Sequence, residues 1–223
     1  MKILIINPNS DPAMTAAIQK TAETFAAGDF EVITEATPGA PPFIETYEDA
    51  ARAAKGMADL VRLHECDCDA FVVACHCDPN LDLVKEITSK PVVGIGEASM
   101  KLATMLGHRF SVISVSDRSI PNKEALVRAY HLEGSLASVR ATNAGSGAWG
   151  AEAPYLEAAR KAVQEDMAEV IVLGCAGATG LDRALQATLH VPVLDGVICA
   201  LIIASGLARY GVATSKARRY CPK

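Results

Sequence analysis

Cys75 and Cys175 are the residues around which chemistry could be organised. Each closes an apolar run: Phe71-Val72-Val73-Ala74 leads into Cys75, and Val170-Ile171-Val172-Leu173-Gly174 into Cys175, one hundred positions later. Short, continuously apolar runs bounded by turn signals read as strands buried on both faces of a parallel sheet. The carboxyl end of such a strand opens into the crevice where open α/β sheets bind ligands. A thiol is a competent base near neutral pH only when its pKa falls below the ordinary value of about 8.5. A helix following the strand supplies unpaired backbone N–H groups and the positive end of a dipole, and both favour the thiolate. Two such thiols on opposite faces of one carbon could remove a proton on one side and deliver one on the other, inverting a stereocentre. The competing reading makes each thiol a small buried hydrophobe, the common fate of free cysteine. Its occurrence twice in the same setting weighs for the chemistry.

The surroundings of the two cysteines repeat as well. Leu81 and Leu181 each follow the cysteine by six residues, and Pro91-Val92-Val93-Gly94 and Pro192-Val193-Leu194-Asp195 come next at nearly matched distances. Strand, cysteine, short helix and Val/Pro-led strand thus occur twice, as in a duplicated half. Ahead of the first copy, residues 3–6 read as a buried strand. Asp11-Pro12 opens a helix to about residue 25, residues 31–35 form a second strand, and Thr46 caps a long Ala-rich helix to about residue 64. Between these elements, Thr37-Pro38-Gly39-Ala40-Pro41-Pro42 is too Pro-rich for a helix or central strand. After Cys75 the pattern predicts a helix over 81–88, a strand over 92–95 and a helix through 100–106. A second cycle starts at Phe110, with a helix from Pro121 to about residue 130, a weaker strand over 136–142 and a helix over 153–164. The final helix, 197–210, and the tail 214–223 are expected to return and brace the first lobe. Alternating strands and helices indicate a parallel α/β architecture.

The totals bound the function classes. With 223 residues, half of them hydrophobic, the chain can bury a sizeable core. A net charge of −5 favours neither nucleic acid nor an anionic membrane surface. The most apolar segment, residues 191–208, is broken by Asp195 and contains Gly196, Ser205 and Gly206, so it reads as strand plus buried helix rather than a membrane span. The opening Met1-Lys2-Ile3-Leu4-Ile5-Ile6 is too short for a secretory apolar segment, and the seven cysteines are odd in number. Both point to reduced thiols in a cytoplasmic protein. His64, Cys66, Cys68, Cys75, His76 and Cys77 cluster in sequence, but one residue separates each cysteine pair where structural zinc sites use two to four. The first pair also precedes its strand and the second follows it, so no metal is expected. Gly145-Ser146-Gly147-Ala148-Trp149-Gly150 formally matches the dinucleotide fingerprint, but the strand before it is too polar for a central one and Cys175 stands where an acidic residue is required. No cofactor is expected.

Several separated motifs, in order, resemble those of the cofactor-independent aspartate/glutamate racemase superfamily and, within it, the hydantoin and allantoin racemase branch. They are Ile5-Ile6-Asn7-Pro8-Asn9-Ser10 with Met14-Thr15, Phe43-Ile44-Glu45-Thr46, Cys75 with Asp78-Pro79, Pro91-Val92-Val93-Gly94-Ile95-Gly96-Glu97-Ala98, Leu173-Gly174-Cys175-Ala176-Gly177, Pro192-Val193-Leu194-Asp195-Gly196-Val197, and Thr214-Ser215-Lys216 with Tyr220. The resemblance implies two pseudo-symmetric flavodoxin-like lobes, each a parallel sheet flanked by helices, with the active site between them. Residues 1–96 with 197–223 would form the lobe carrying Cys75, and residues 97–196 the lobe carrying Cys175. It further implies Cys75 and Cys175 as the two acid/base residues in racemisation of a 5-substituted hydantoin or related cyclic ureide such as allantoin. The chain departs from the branch after the first cysteine: His76 and Cys77 replace an aromatic residue and a glycine, and Asn80 a glycine after Asp-Pro, which alters the pocket wall.

His76 could raise the thiolate fraction of Cys75 or bond the substrate; equally, it could be a loop histidine facing the cleft. The N–H groups of Ala176 and Gly177 could stabilise an enolate oxygen, or the glycine could serve a tight turn. Asn9, Ile44 and Ser114, on strand-end or cleft loops, are the other candidate substrate contacts, each against plain turn chemistry. The alternatives in the superfamily are racemisation of aspartate or glutamate and isomerisation of maleate; its decarboxylases keep only one cysteine of the pair. Outside enzymes, the chain could be a small-molecule binding protein on the same fold. Its partner is a small molecule, and a homo-oligomer is expected.

Overall fold

The computed structural model describes residues 1–144 and 150–221. Two four-stranded sheets, parallel throughout, carry the fold, as the alternating pattern requires. The first consists of β1 (Lys2–Asn7), β2 (Glu31–Ala36), β3 (Ala70–Val73) and β4 (Val92–Gly94), in the order β2-β1-β3-β4. The second repeats that order with β5 (Phe110–Ser114), β6 (Leu136–Ala141), β7 (Val170–Leu173) and β8 (Val193–Leu194), arranged β6-β5-β7-β8. The central strands β3 and β7 are wholly buried because their residues are apolar on both faces.

Helices connect the strands: α1 (Pro12–Ala26), α2 (Tyr47–His64), α3 (Leu81–Ile87), α4 (Ile95–Leu106), α5 (Ile120–Ala129), α6 (Glu152–Glu165), α7 (Asp182–Leu189) and α8 (Gly196–Tyr210). Their starts follow local chemistry. The Asp11 carboxylate accepts the N–H groups of Ala13 and Met14 ahead of Pro12, and Thr46 and Asp49 close a reciprocal capping box at α2. In the second sheet the two faces separate by parity. Ile113, Ile171 and Leu173 pack with Tyr155, Ala159 and Leu185 of α6 and α7. Val112, Val170 and Val172 pack with Met100 and Ala103 of α4 and Val127 of α5.

The chain divides into two compact units, Met1–Ile95 with Ala200–Lys223, and Gly96–Cys199, and the divisions fall inside α4 and α8. No helix among the described residues is long and apolar enough to cross a membrane. One boundary differs from expectation. The sequence predicts strand over 92–95 and helix only from 100, whereas β4 stops at Gly94 and α4 begins at Ile95. Only three residues of β4 find partners on β3, and the chain turns as soon as that pairing ends. Most of the Gly-rich stretch 144–150 lies outside the described residues.

Candidate active site

Each unit carries one cysteine in an equivalent place. In the order β2-β1-β3-β4 the connection reverses direction between β1 and β3, and open parallel sheets bind ligands at that reversal, beyond the strand ends. Cys75 lies two residues past β3 and Cys175 two past β7. The same two-step turn follows each. Asp78 N–H donates to Cys75 O at 2.8 Å and Leu81 N–H to Asp78 O at 3.2 Å. Likewise Ala178 N–H donates to Cys175 O at 3.1 Å and Leu181 N–H to Ala178 O at 3.2 Å. These turns lie between the cysteines and the next α-helices. What reaches Cys175 Sγ is a turn donor, Gly177 N–H, at 3.3 Å, a contact that favours thiolate over thiol.

The seven thiols sort by environment. Cys66 and Cys221 are exposed, Cys68 and Cys199 are buried, and Cys75, Cys77 and Cys175 are half-buried. Burial pushes the Cys68 thiol up, and it pushes Cys199 up to about 12, helped by the nearby Asp195 and Asp182 charges. Both stay protonated and inert, as small hydrophobes do. Cys75 and Cys175 lack that full enclosure. Cys68 and Cys75 flank β3 at opposite ends, and among the described residues no three His, Cys, Asp or Glu side chains cluster to hold a metal ion.

The other residues singled out from sequence fall in two groups. Ile44 belongs to the core cluster of α2, β3 and α3 against which Cys75 packs. His76 is buried within the turn beside Cys75. Ala176 and Gly177 lie in the 3-10 turn Ala176–Ala178 that follows Cys175. Asn9 lies two residues past β1 and Ser114 is the last residue of β5, at the end of the strand that neighbours each cysteine strand, and both are held by hydrogen bonds within their own turns. Asn9 Oδ1 accepts from Asn7 Nδ2 at 2.8 Å and from Asp11 N–H at 2.9 Å, while Asn9 Nδ2 lies 3.3 Å from Met14 Sδ. Ser114 Oγ shares a hydrogen bond with Ser119 Oγ.

Three buried polar residues near the cysteine turns were not singled out from sequence. Tyr155, in the first turn of α6, has its hydroxyl buried with no hydrogen-bond partner among the described residues. Burial pushes that phenol up, and the Cys175 charge pushes it further. Asp78 closes the Cys75 turn and Asp195 follows β8; the two residues are 6% and 4% exposed. The signal for both acids was present in the repeat, where Asp and a small residue exchange places between the copies.

The model of the Asp/Glu/Hydantoin racemase family matches residues 3–204. The chain belongs to this family. It is the family to which the sequence motifs pointed. Over 228 residues the chain is 39% identical to a hydantoin racemase of Paenarthrobacter aurescens, covering 99% of this chain and 96% of that one. It is 38% identical over 227 residues to a hydantoin racemase of Pseudomonas sp. (strain NS671), covering 99% and 91%. Among solved structures, an allantoin racemase from Pseudomonas fluorescens aligns with a TM-score of 0.95 at 32% identity, covering 100% of this chain and 97% of that one.

Proposed function

We propose that this protein is a cofactor-independent racemase of 5-substituted hydantoins or related cyclic ureides, with Cys75 and Cys175 as its two acid/base residues. The observation that carries the reading is full-length similarity to hydantoin racemases in a chain that sets a half-buried cysteine two residues beyond the matching strand of each unit. One thiolate removes the ring C–H proton. The electron pair passes into the adjacent carbonyl as an enolate, and the other thiol delivers its proton to the opposite face. The first cysteine ends as thiol and the second as thiolate, so the same pair serves the reverse reaction with roles exchanged, and no redox group is consumed. Gly177 N–H, which reaches Cys175 Sγ, holds that thiolate ready. Ala176 and Gly177 present the backbone donors for enolate oxygen, while Asn9, Ile44, His76 and Ser114 shape the substrate's surroundings. The protein works in the cytoplasm as a homo-oligomer on a small molecule.

Proton NMR of reduced protein in deuterated buffer, with a hydantoin panel that includes allantoin, tests this. Loss of the ring C–H signal, absent in Cys75→Ser and Cys175→Ser, is the expected result. No exchange with any hydantoin, or unimpaired turnover in either variant, overturns it.

A further inference from the structure

The two units place a buried carboxylate in the same slot but draw it from opposite sides. Register fixes the equivalence: Phe71 pairs with Val92 and Val73 with Gly94, while Ile171 pairs with Val193 and Val172 with Leu194, so Gly94 and Asp195 occupy matching positions at the end of the fourth strand. The matched hydrogen-bonded turns make Asp78 and Ala178 equivalent in the same way. In the second unit, Asp195 reaches back to the cysteine turn. Its Oδ2 accepts Thr179 Oγ1–H at 2.6 Å and Gly180 N–H at 2.9 Å, and its Oδ1 accepts Val197 N–H at 2.8 Å. The facing residue, Ala178, is small and fully buried. In the first unit the direction is reversed. The carboxylate belongs to Asp78 on the turn, and it fills the space where a Cβ on Gly94 would stand.

Burying a carboxyl costs several kcal/mol unless its lone pairs are satisfied, and a hydrophobe of the same volume would fill the slot at lower cost. A carboxylate placed there twice, by two different residues, marks a position that needs a hydrogen-bond acceptor. In the second unit the acceptor acts as a tie. Asp195 links residues 179–180, just after the Cys175 turn, to the start of α8. We propose that Asp78 and Asp195 are equivalent positioning residues, one per unit, each fixing the turn that carries its own cysteine. The residue opposite each must stay small. This rests on the racemase reading for its consequence in turnover, but not for its effect on the thiols.

The test exchanges the two residues of the first unit in the full chain. Gly is chosen at 78 because Asp78 has φ 45°, which Gly adopts without cost. Racemisation is followed together with fragment-resolved alkylation of Cys75 and Cys175 by iodoacetamide across pH. Asp78→Gly should slow racemisation at least about tenfold, since small misplacements of a catalytic group have effects of that size. It should also change the alkylation rate of Cys75 about threefold or more and leave Cys175 within a factor of about 1.5. Adding Gly94→Asp should bring both quantities back to within about threefold of wild type. Asp195→Asn, which keeps the volume but weakens acceptance, should perturb Cys175 alone, and it decides the matter if the exchanged chain does not fold. Single variants within twofold of wild type, both thiols shifting together, or a folded exchange no better than Asp78→Gly overturn the proposal. Alkylation needs no substrate, so an inactive wild type would refute the racemase reading and leave this test standing.

Discussion

The two units share strand order, the register of the cysteine strand with its neighbours, and the cysteine turn, yet they rarely use the same residue for the same purpose. The edge strands show it as clearly as the carboxylate slot. Glu35 on β2 pairs in register with Ile6, and Arg140 on β6 with Ile113, positions that correspond because β1 and β5 meet their cysteine strands in the same register. Glu35 faces His64 at the end of α2, whereas Arg140 holds Asp166 and Glu165 at the end of α6. Acid-on-strand with base-on-helix in one unit becomes base-on-strand with acid-on-helix in the other. The backbone sets which positions meet; either partner can then supply the acid or the base. The short helices after the cysteines differ further. α7 ends in its own left-handed cap at His190, φ 57°, whose N–H returns to Gln186 O. α3 ends in extended backbone at Thr88, and the C-terminal tail supplies the missing donor: Lys216 Nζ donates to Lys85 O and Glu86 O, while Arg219 and Tyr220 bind the Asp82 carboxylate at the other end.

The cysteines are a residue type that the two units keep in the same place, and breaking their equivalence should have the largest effect. Cys75→Ser and Cys175→Ser should each lower racemisation by at least about a thousandfold in both directions, because a hydroxyl is far too weak an acid to replace the thiol as base. Polarimetry from each enantiomer checks this; a variant that retains a tenth of wild-type activity would separate the two units in function. Next in size is Gly94→Ala. Its Cβ would fall on the Asp78 carboxylate and should cost about 3 kcal/mol by overpacking. Denaturant unfolding should show most of that loss disappearing when Asp78→Gly is combined with it.

The tail comes next. Lys216→Ala leaves two carbonyls at the end of α3 without their charged donor and should cost about 1.5 kcal/mol, measured by urea unfolding. Hydrogen exchange should quicken in α3 and not in α7, which caps itself.

Much of this was legible in the sequence. The buried strands, both cysteines, the Asp11 and Thr46 caps and the family itself follow from apolar runs, turn residues and the repeat. What was missed depends on where side chains reach after the chain turns. A Pro-Val-Val run gave no sign that β4 would stop at Gly94, because that stop depends on how far β3 offers partners. Asp78 and Asp195 were visible as residues of motifs, but their common slot appears only once register aligns the two units.

The inverted edge-strand pair yields the smallest effect and the most discriminating one. Arg140 makes a two-pronged contact with Asp166, Nε to Oδ2 and Nη2 to Oδ1, and Nη2 also meets Glu165 at 2.7 Å. The Arg140 hydrogen bond is the main reason the Asp166 carboxyl titrates below its ordinary range. In the other unit, His64 Nε2 lies 2.8 Å from Glu35 Oε1 but without hydrogen-bond geometry. Arg140→Ala should therefore cost about 1 kcal/mol at neutral pH, and Glu35→Ala less than about 0.5 kcal/mol. Because the folded-state value of Asp166 is depressed, its stabilisation is complete above the unfolded carboxyl pKa of about 3.9 and is lost as pH falls through the lower folded value. Melting curves of wild type and Arg140→Ala should then differ at pH 7 and converge in acid. A gap that persists in acid would mean that Arg140 acts by packing its stem rather than through its charge, and that the exchange of acid and base between the units carries no energy.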